Sequence, residues 1–178
     1  MECQADQTVE IKARCADPGR IRKLLQSWGA SFKGTVTQTD TFYNAAFGRL
    51  KLRESESRNL LIGYRRPDIR GPKHCLVDLY ESIDSQALGK VLAESLGIRA
   101  VVKKRREIYT MNNVKFHLDQ VEPPLGSFVE IEVLGHRGTV SVEDLRSVCE
   151  KYLVKLGIKD DDLVEEAYVD LLEKASSG

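Results

Sequence analysis

Polar and apolar residues alternate with period two along much of this chain, and on a strand residues two apart share a face. In TVEIKAR (8–14), Val9, Ile11 and Ala13 oppose Thr8, Glu10, Lys12 and Arg14. FGRLKLRESE (47–56) sets Arg49, Lys51 and Arg53 against Leu50 and Leu52. SRNLLIGYRRPD predicts a strand that ends at Pro67, which has no N–H to donate. After the loop DIRGPK, HCLVDLYESI predicts another. RAVVKKRREIYTMNNVKFHLDQV reads as a hairpin turning at Asn112-Asn113, since Asn tolerates the left-handed conformation. GSFVEIEVLG closes the series, with Glu130 and Glu132 opposite Val129, Ile131 and Val133.

Helical periodicity interrupts the strands. DPGRIRKLLQSWGA offers Asp17 as N-cap, Pro18 in the first turn, an apolar face of Ile21, Leu24, Leu25 and Trp28, and a stop at Gly29. DSQALGKVLAESLG repeats the pattern up to Gly97. SVEDLRSVCEKYLVKLG opens with the capping signal Ser141-x-x-Asp144 and closes at Gly157, and DDLVEEAYVDLLEKA (161–175) predicts a fourth helix. Strand, helix, several strands, helix, three strands and two helices make an α+β fold with a mostly antiparallel sheet covered by amphipathic helices.

A length of 178 residues suits one domain. Hydrophobic residues at 42% and charged residues at 30% belong to a globular chain and exclude disorder. Twenty-seven basic side chains balance 27 acidic ones, so the bulk field favours neither nucleic acid nor a membrane surface. No apolar run approaches the length needed to span a bilayer, and MECQADQTVE lacks the apolar core of a signal peptide; a cytoplasmic protein is expected. Cys3, Cys15, Cys75 and Cys149 show no CxxC pair or zinc-ligand spacing, which points to free thiols.

Charge becomes informative once sorted by strand. Each strand has one apolar and one charged face, the middle strands bearing cations and the first and last bearing carboxylates. Arg66 shares a face with Tyr64, while 101–109 offers two parities, Lys103 with Arg105 or Lys104 with Arg106. Lys115, His117 and Asp119 share a face opposite Val114, Phe116 and Leu118. Two-layer packing would leave these faces in water. If the sheet curls closed they become an interior, and an interior full of cations needs a polyanion. A triphosphate meets that need, because cations about 7 Å apart along a strand reach successive phosphates. Separate carboxylates would suit Mg²⁺ or Mn²⁺, hard ions that bridge to phosphate. No glycine-rich phosphate loop of the Walker type is present.

The ordered set VEIKAR, TDTFYNAAFGRLKLRE, LIGYRRPD, VVKKRREIY, VKFHLDQVEPPLGSFVEIEV and AYVDLL resembles the CYTH superfamily, named for class IV adenylyl cyclase and thiamine triphosphatase. The resemblance spans about residues 8–172 as a single domain and implies a closed, eight-stranded antiparallel β-barrel, a triphosphate tunnel with flanking helices. It also implies metal-dependent processing of triphosphates. By motif, Glu10, Asp119, Glu130 and Glu132 correspond to metal-binding carboxylates, and Lys12, Arg49, Lys51, Arg53, Arg66, Lys104 and Arg106 to triphosphate-binding cations. Lys12 and Glu132 are the residues expected to carry catalysis. The family's ExExK signature stands here as Thr8-x-Glu10-x-Lys12, with Glu2 or Asp6 as nearby carboxylates.

What the resemblance implies first is a triphosphatase acting with Mg²⁺ or Mn²⁺ on tripolyphosphate, ATP or thiamine triphosphate, as monomer or homodimer. The framework lies nearer the class IV adenylyl cyclase branch, whose reaction yields cyclic AMP and pyrophosphate from ATP. A non-catalytic triphosphate-binding module is the third possibility. Trp28 is expected in the helix core, Tyr109 as a buried barrel tyrosine and His117 as a structural histidine facing a carboxylate.

Overall fold

The computed structural model describes residues 6–176. Its strands are β1 (Gln7–Arg14), β2 (Ser31–Tyr43), β3 (Arg49–Ser55), β4 (Leu60–Arg65), β5 (Lys73–Glu81), β6 (Ile98–Met111), β7 (Val114–Val121) and β8 (Gly126–Gly135). They close into a barrel in the order β1-β5-β4-β3-β2-β6-β7-β8, every pair antiparallel. Closure removes every sheet edge, and eight strands leave an interior just wide enough for side chains or one small ligand. The β6–β7 hairpin turns at Asn112 with φ 52°, as the sequence predicts.

Among the described residues four α-helices flank the barrel: α1 (Pro18–Ser27), α2 (Ser85–Leu96), α3 (Val142–Leu156) and α4 (Tyr168–Ser176). Asp17, Asp84 and Ser141 each cap a helix by accepting a backbone N–H three residues on, and Gly157 ends α3 in the left-handed region at φ 63°. The main core lies outside the barrel wall. Val9, Ile11, Phe116, Ile131 and Val133 from β1, β7 and β8 pack there against Ile21 and Leu25 of α1 and Leu145, Cys149 and Leu156 of α3. Trp28 belongs to it, its ring 6.5 Å from Phe116 and 6.1 Å from Tyr152. Tyr109 is buried on the outer face beside Phe32. A Cβ at Gly135 would stand 2.8 Å from Leu145 Cδ1, so this glycine lets α3 approach β8 closely. Each large aliphatic side chain buried here contributes about 1.5–3 kcal/mol, which lets the inner face remain charged.

One element departs from its sequence pattern. Residues 161–175 read as a continuous helix, but Asp160–Asp162 form a 3-10 turn and helix resumes only at Tyr168. Between them the chain is extended: Leu163 bridges to Ala13, and Val164 N–H donates to Lys12 O at 2.9 Å. This strap lies across one end of the barrel, where its carbonyls serve the cations described below. Cys15, Cys75 and Cys149 are free and buried, as expected. Glu2 and Cys3 lie outside the described residues. No helix among the described residues is long and apolar enough to cross a membrane.

Candidate functional site

The inner faces of the strands enclose a cavity of about 420 Å³. Glu10 and Lys12 reach it from β1, Lys51 and Arg53 from β3, Arg66 from just beyond β4, Lys104 and Arg106 from β6, His117 from β7, and Glu130 and Glu132 from β8. The parity of β6 is settled by register: Lys104 and Arg106 are buried inside, whereas Lys103 and Arg105 face out. Arg66 likewise turns inward with a side chain 2% exposed, and Arg65 outward.

Three of these cations converge on one carboxylate. Asp40, on the inner face of β2 and 1% exposed, accepts from Lys51 Nζ at 3.0 Å, Lys104 Nζ at 2.8 Å, Arg53 Nε at 2.7 Å and Arg53 Nη2 at 2.8 Å. Register makes the meeting possible, since Asp40 pairs with Arg53 across β2–β3 and Gln38 pairs with Lys104 across β2–β6. Burial pushes the Asp40 carboxyl up, but Arg53, Lys104 and Lys51 together hold it well below the usual range. A single negative charge cannot satisfy three positive ones. Burial, aided by neighbouring cations, lowers Lys104 to about 7 and Lys51 to about 8. The tunnel therefore has an unmet demand for anionic oxygen at this point.

The opposite wall carries the acids. Arg106 Nε and Nη2 fork onto Asp119 at 2.6 and 2.5 Å, and Nη2 also meets Glu130 at 2.5 Å. Glu130 is further engaged by Lys12 at 3.5 Å and lies 3.6 Å from His117 Nδ1. Burial followed by Arg106 lowers the His117 pKa, so its ring is neutral at pH 7. Glu10 and Glu132 sit directly across from one another on β1 and β8. Burial raises the Glu10 carboxyl above its ordinary range despite Arg66 at 3.4 Å, and Glu130 and Glu132 add to the rise. Glu132 has no hydrogen bond or ion pair within the described residues.

Among the described residues no three His, Cys, Asp or Glu side chains gather as a ready metal cage. The Glu10–Glu132 edge nonetheless fits a hard divalent ion. Its donors are carboxylate oxygens, it is under-compensated, and Mg²⁺ is ordinarily held by one or two carboxylates with the substrate's phosphates completing its shell. Asp119 is committed elsewhere: its side chain is 0% exposed, bound by Arg106 and by Tyr168 Oη at 2.8 Å. Thr8, at the position of the first signature glutamate, is buried with its hydroxyl unpartnered. Asp6 is drawn to the surface by Arg137, whose backbone N–H and Nε donate to it at 2.9 and 3.0 Å, so it does not replace that glutamate.

One end of the tunnel is closed. Phe42, Phe128, Ala167 and Tyr168 form a buried cluster there, the rings of Phe128 and Tyr168 5.0 Å apart. Lys12 Nζ lies 3.7 Å above the Tyr168 ring and donates to Glu166 O at 3.3 Å. Lys73 Nζ donates to Val164 O at 2.9 Å, and Arg66 Nη1 to Glu165 O at 3.4 Å. Arg49 shares the inner parity of Lys51 and Arg53 but lies at the rim of this closed end. There its guanidinium holds Asp68 at 2.5 Å and Asp170 of α4 at 2.8 Å, and it does not line the main cavity.

Sequence reading missed Asp40, Lys73 and Tyr168. Asp40 is a lone acid in the threonine-rich run SFKGTVTQTDTFY, Lys73 follows a loop, and Tyr168 falls within a helical pattern. The signal that finds Asp40 is its parity with Gln38 and Phe42, positions that turn inward with it.

Three solved structures illustrate what the fold is similar to. The PH1012 protein of Pyrococcus horikoshii superposes with a TM-score of 0.81 at 26% identity over 92% of this chain and 98% of that one. A candidate adenylate cyclase of Vibrio parahaemolyticus gives 0.78 at 16% identity over 96% and 99%. A candidate adenylyl cyclase of Hippeastrum, described as having a dominant triphosphatase activity, gives 0.64 at 20% identity over 94% and 96%. No curated protein matches the chain. A family model, that of the CYTH domain, matches residues 6–168.

Proposed function

The chain belongs to the CYTH domain family, and on that premise we propose that it is a metal-dependent triphosphatase that holds its substrate inside the barrel. The observation that carries this reading is the surplus of positive charge around Asp40, where Lys51, Arg53 and Lys104 share one carboxylate. Lys51, Arg53, Lys104 and Arg106 receive the phosphate oxygens, Arg through paired N–H donors and Lys as point charges. Anionic oxygen arriving beside Lys104 and Lys51 draws both back to their protonated forms, so the charge needed for binding appears with the ligand. Lys12 and Arg66 complete the cation set toward the closed end.

Glu10 and Glu132 hold Mg²⁺ or Mn²⁺. When bound, such an ion neutralises phosphate charge and polarises a phosphoryl oxygen. Asp119 and Glu130 orient Arg106, and Arg106, followed by Lys12, keeps Glu130 ionised despite its burial. Glu132, without a hydrogen bond or ion pair among the described residues, is the carboxylate available to position the attacking water. Phosphoryl transfer demands little covalent chemistry from a protein, so positioning and charge neutralisation account for the catalysis. The Hippeastrum protein, which shares the barrel, is described as a dominant triphosphatase.

The test incubates purified protein with Mg²⁺ or Mn²⁺ and, separately, tripolyphosphate, ATP and thiamine triphosphate, resolving orthophosphate, pyrophosphate and cyclic AMP. Orthophosphate is the expected product. Cyclic AMP with pyrophosphate would replace this reading with a cyclase, and binding without any product would replace it with a non-catalytic module.

A further inference from the structure

A second hollow lies outside the closed end of the tunnel. It encloses about 450 Å³ and is lined by Phe47 and Gly48 from the loop before β3, Arg49 at the start of β3, Arg65 and Arg66 at the end of β4, and Arg99 near the start of β6. Among the described residues only Arg66 also lines the main cavity, so the two spaces meet at that one guanidinium. Gly48 brings the arginines together. Its φ is 66°, and a Cβ there would stand 2.6 Å from Tyr64 O and 2.9 Å from Arg65 Cγ, so glycine lets the loop lie against the end of β4 with the stem of Arg65 across it. Register sets Arg49 opposite Tyr64, the neighbour of Arg65. The same loop carries Phe47 into solvent, 82% exposed, at the edge of the hollow.

Four guanidinium groups line this space and, among the described residues, no carboxylate does. Acids outside the lining hold two of them. Arg49 binds Asp68 and Asp170 through Nη2 alone, at 2.5 and 2.8 Å, and Arg99 binds Asp170 and Glu173 through Nε and Nη2 at 2.6 to 2.7 Å. These contacts fix both side chains, yet Arg49 Nε and Nη1 and Arg99 Nη1 donate no hydrogen bond among the described residues. Arg66 turns to Glu10 on the tunnel side at 3.4 Å. Arg65 is exposed and has neither hydrogen bond nor ion pair among the described residues. Unused N–H donors from several arginines around one hollow match a tetrahedral phosphate, whose acceptor oxygens point in several directions. The exposed ring of Phe47 beside them supplies a flat apolar surface.

We infer that this hollow is a second anion site, which takes a phosphate monoester with its phosphate on the arginines and a flat organic group against Phe47. The site lies outside the tunnel, and its ligand is independent of the reaction proposed there.

An amide-resolved NMR titration of the native protein with inorganic phosphate and with phenyl phosphate reads the two spaces separately. The backbone amides of Gly48, Arg49, Arg65 and Arg99 should shift and saturate with both probes, phenyl phosphate binding about threefold more tightly through the ring contact. Phe47→Ala should erase that advantage. Arg65→Gln should weaken both probes about tenfold, the worth of one charge-assisted hydrogen bond. Both substituted side chains are exposed and neither lines the main cavity, so the amides of Lys51 and Arg106 should keep their native positions in each variant, which also reports that the barrel is folded. Shifts confined to the tunnel amides, outer-site affinities unmoved by Arg65→Gln, or equal affinity of the two probes for the native site would each overturn the inference.

Discussion

Asp40→Asn removes the charge on which three cations converge while keeping the shape of the side chain. Asp40 and Lys104 are each 1% exposed, and Lys51 and Arg53 are 13% and 16% exposed, so solvent replaces little of what is lost. Removing one partner of a buried ion pair costs about 3–5 kcal/mol. Lys104 already titrates at about 7 and sheds its proton once the carboxylate is gone, which favours the lower figure. For a chain of this size each kcal/mol moves Tm by about 2–4 °C, so at pH 7 the variant should melt roughly 6–12 °C below the native protein. The ligand response separates this account from a simple loss of packing. A bound triphosphate supplies the missing negative charge, so tripolyphosphate should raise the Tm of Asp40→Asn by more than it raises that of the native protein. Thermal scans with and without the ligand give both quantities. A fall under 2 °C, or a smaller ligand response in the variant, would refute the reasoning.

Other expectations follow from the same geometry. Because the folded pKa of Lys104 and Lys51 is depressed, the native tunnel has lost protons above about pH 7–8 that the unfolded chain still holds up to its ordinary lysine range. Tripolyphosphate binding must recover them, so its affinity should fall with rising pH above 8 by up to about tenfold per unit for each lysine; Lys104→Arg should flatten that slope, and an unchanged slope would contradict the assignment. Glu132→Gln should abolish turnover while leaving tripolyphosphate affinity in EDTA within about threefold; retained turnover would remove Glu132 from the metal edge. Tyr168→Phe deletes the buried hydrogen bond to Asp119 at 2.8 Å, and the urea midpoint should report a loss of about 1.5–3 kcal/mol; no loss would show that the closed end is held by packing alone.

Most of the barrel was legible because strand parity carries over directly into inside and outside. Lys51 and Arg53 alternate with Leu50 and Leu52, and Glu130 and Glu132 with Val129, Ile131 and Val133, so their faces could be read before closure was known; in KKRRE both parities are charged, and the family resemblance selects Lys104 and Arg106, which register places inside. Asp40 escaped because Thr35, Thr37, Thr39 and Thr41 fill the opposite face of β2 while Val36 and Phe42 share its own, so no apolar face marks that of Asp40 as charged. The strap at 163–167 was misread for a different reason. LVEEA suits a helix locally, yet pairing with Lys12 and Ala13 satisfies its backbone across the barrel end, and tertiary contacts override propensity there. Arg49 and Asp119 have the parity of the site, but parity does not give depth. Arg49 sits at the rim against α4, and Asp119 lies beneath Arg106 and Tyr168.

A crystal structure with tripolyphosphate and Mn²⁺ would test the central claim most directly, because it locates the ligand and, by anomalous scattering, the ion. The account predicts phosphate groups held by Lys51, Arg53, Lys104 and Arg106, with Mn²⁺ beside Glu10 and Glu132. Tripolyphosphate bound outside the barrel, or Mn²⁺ held away from both glutamates, would contradict it.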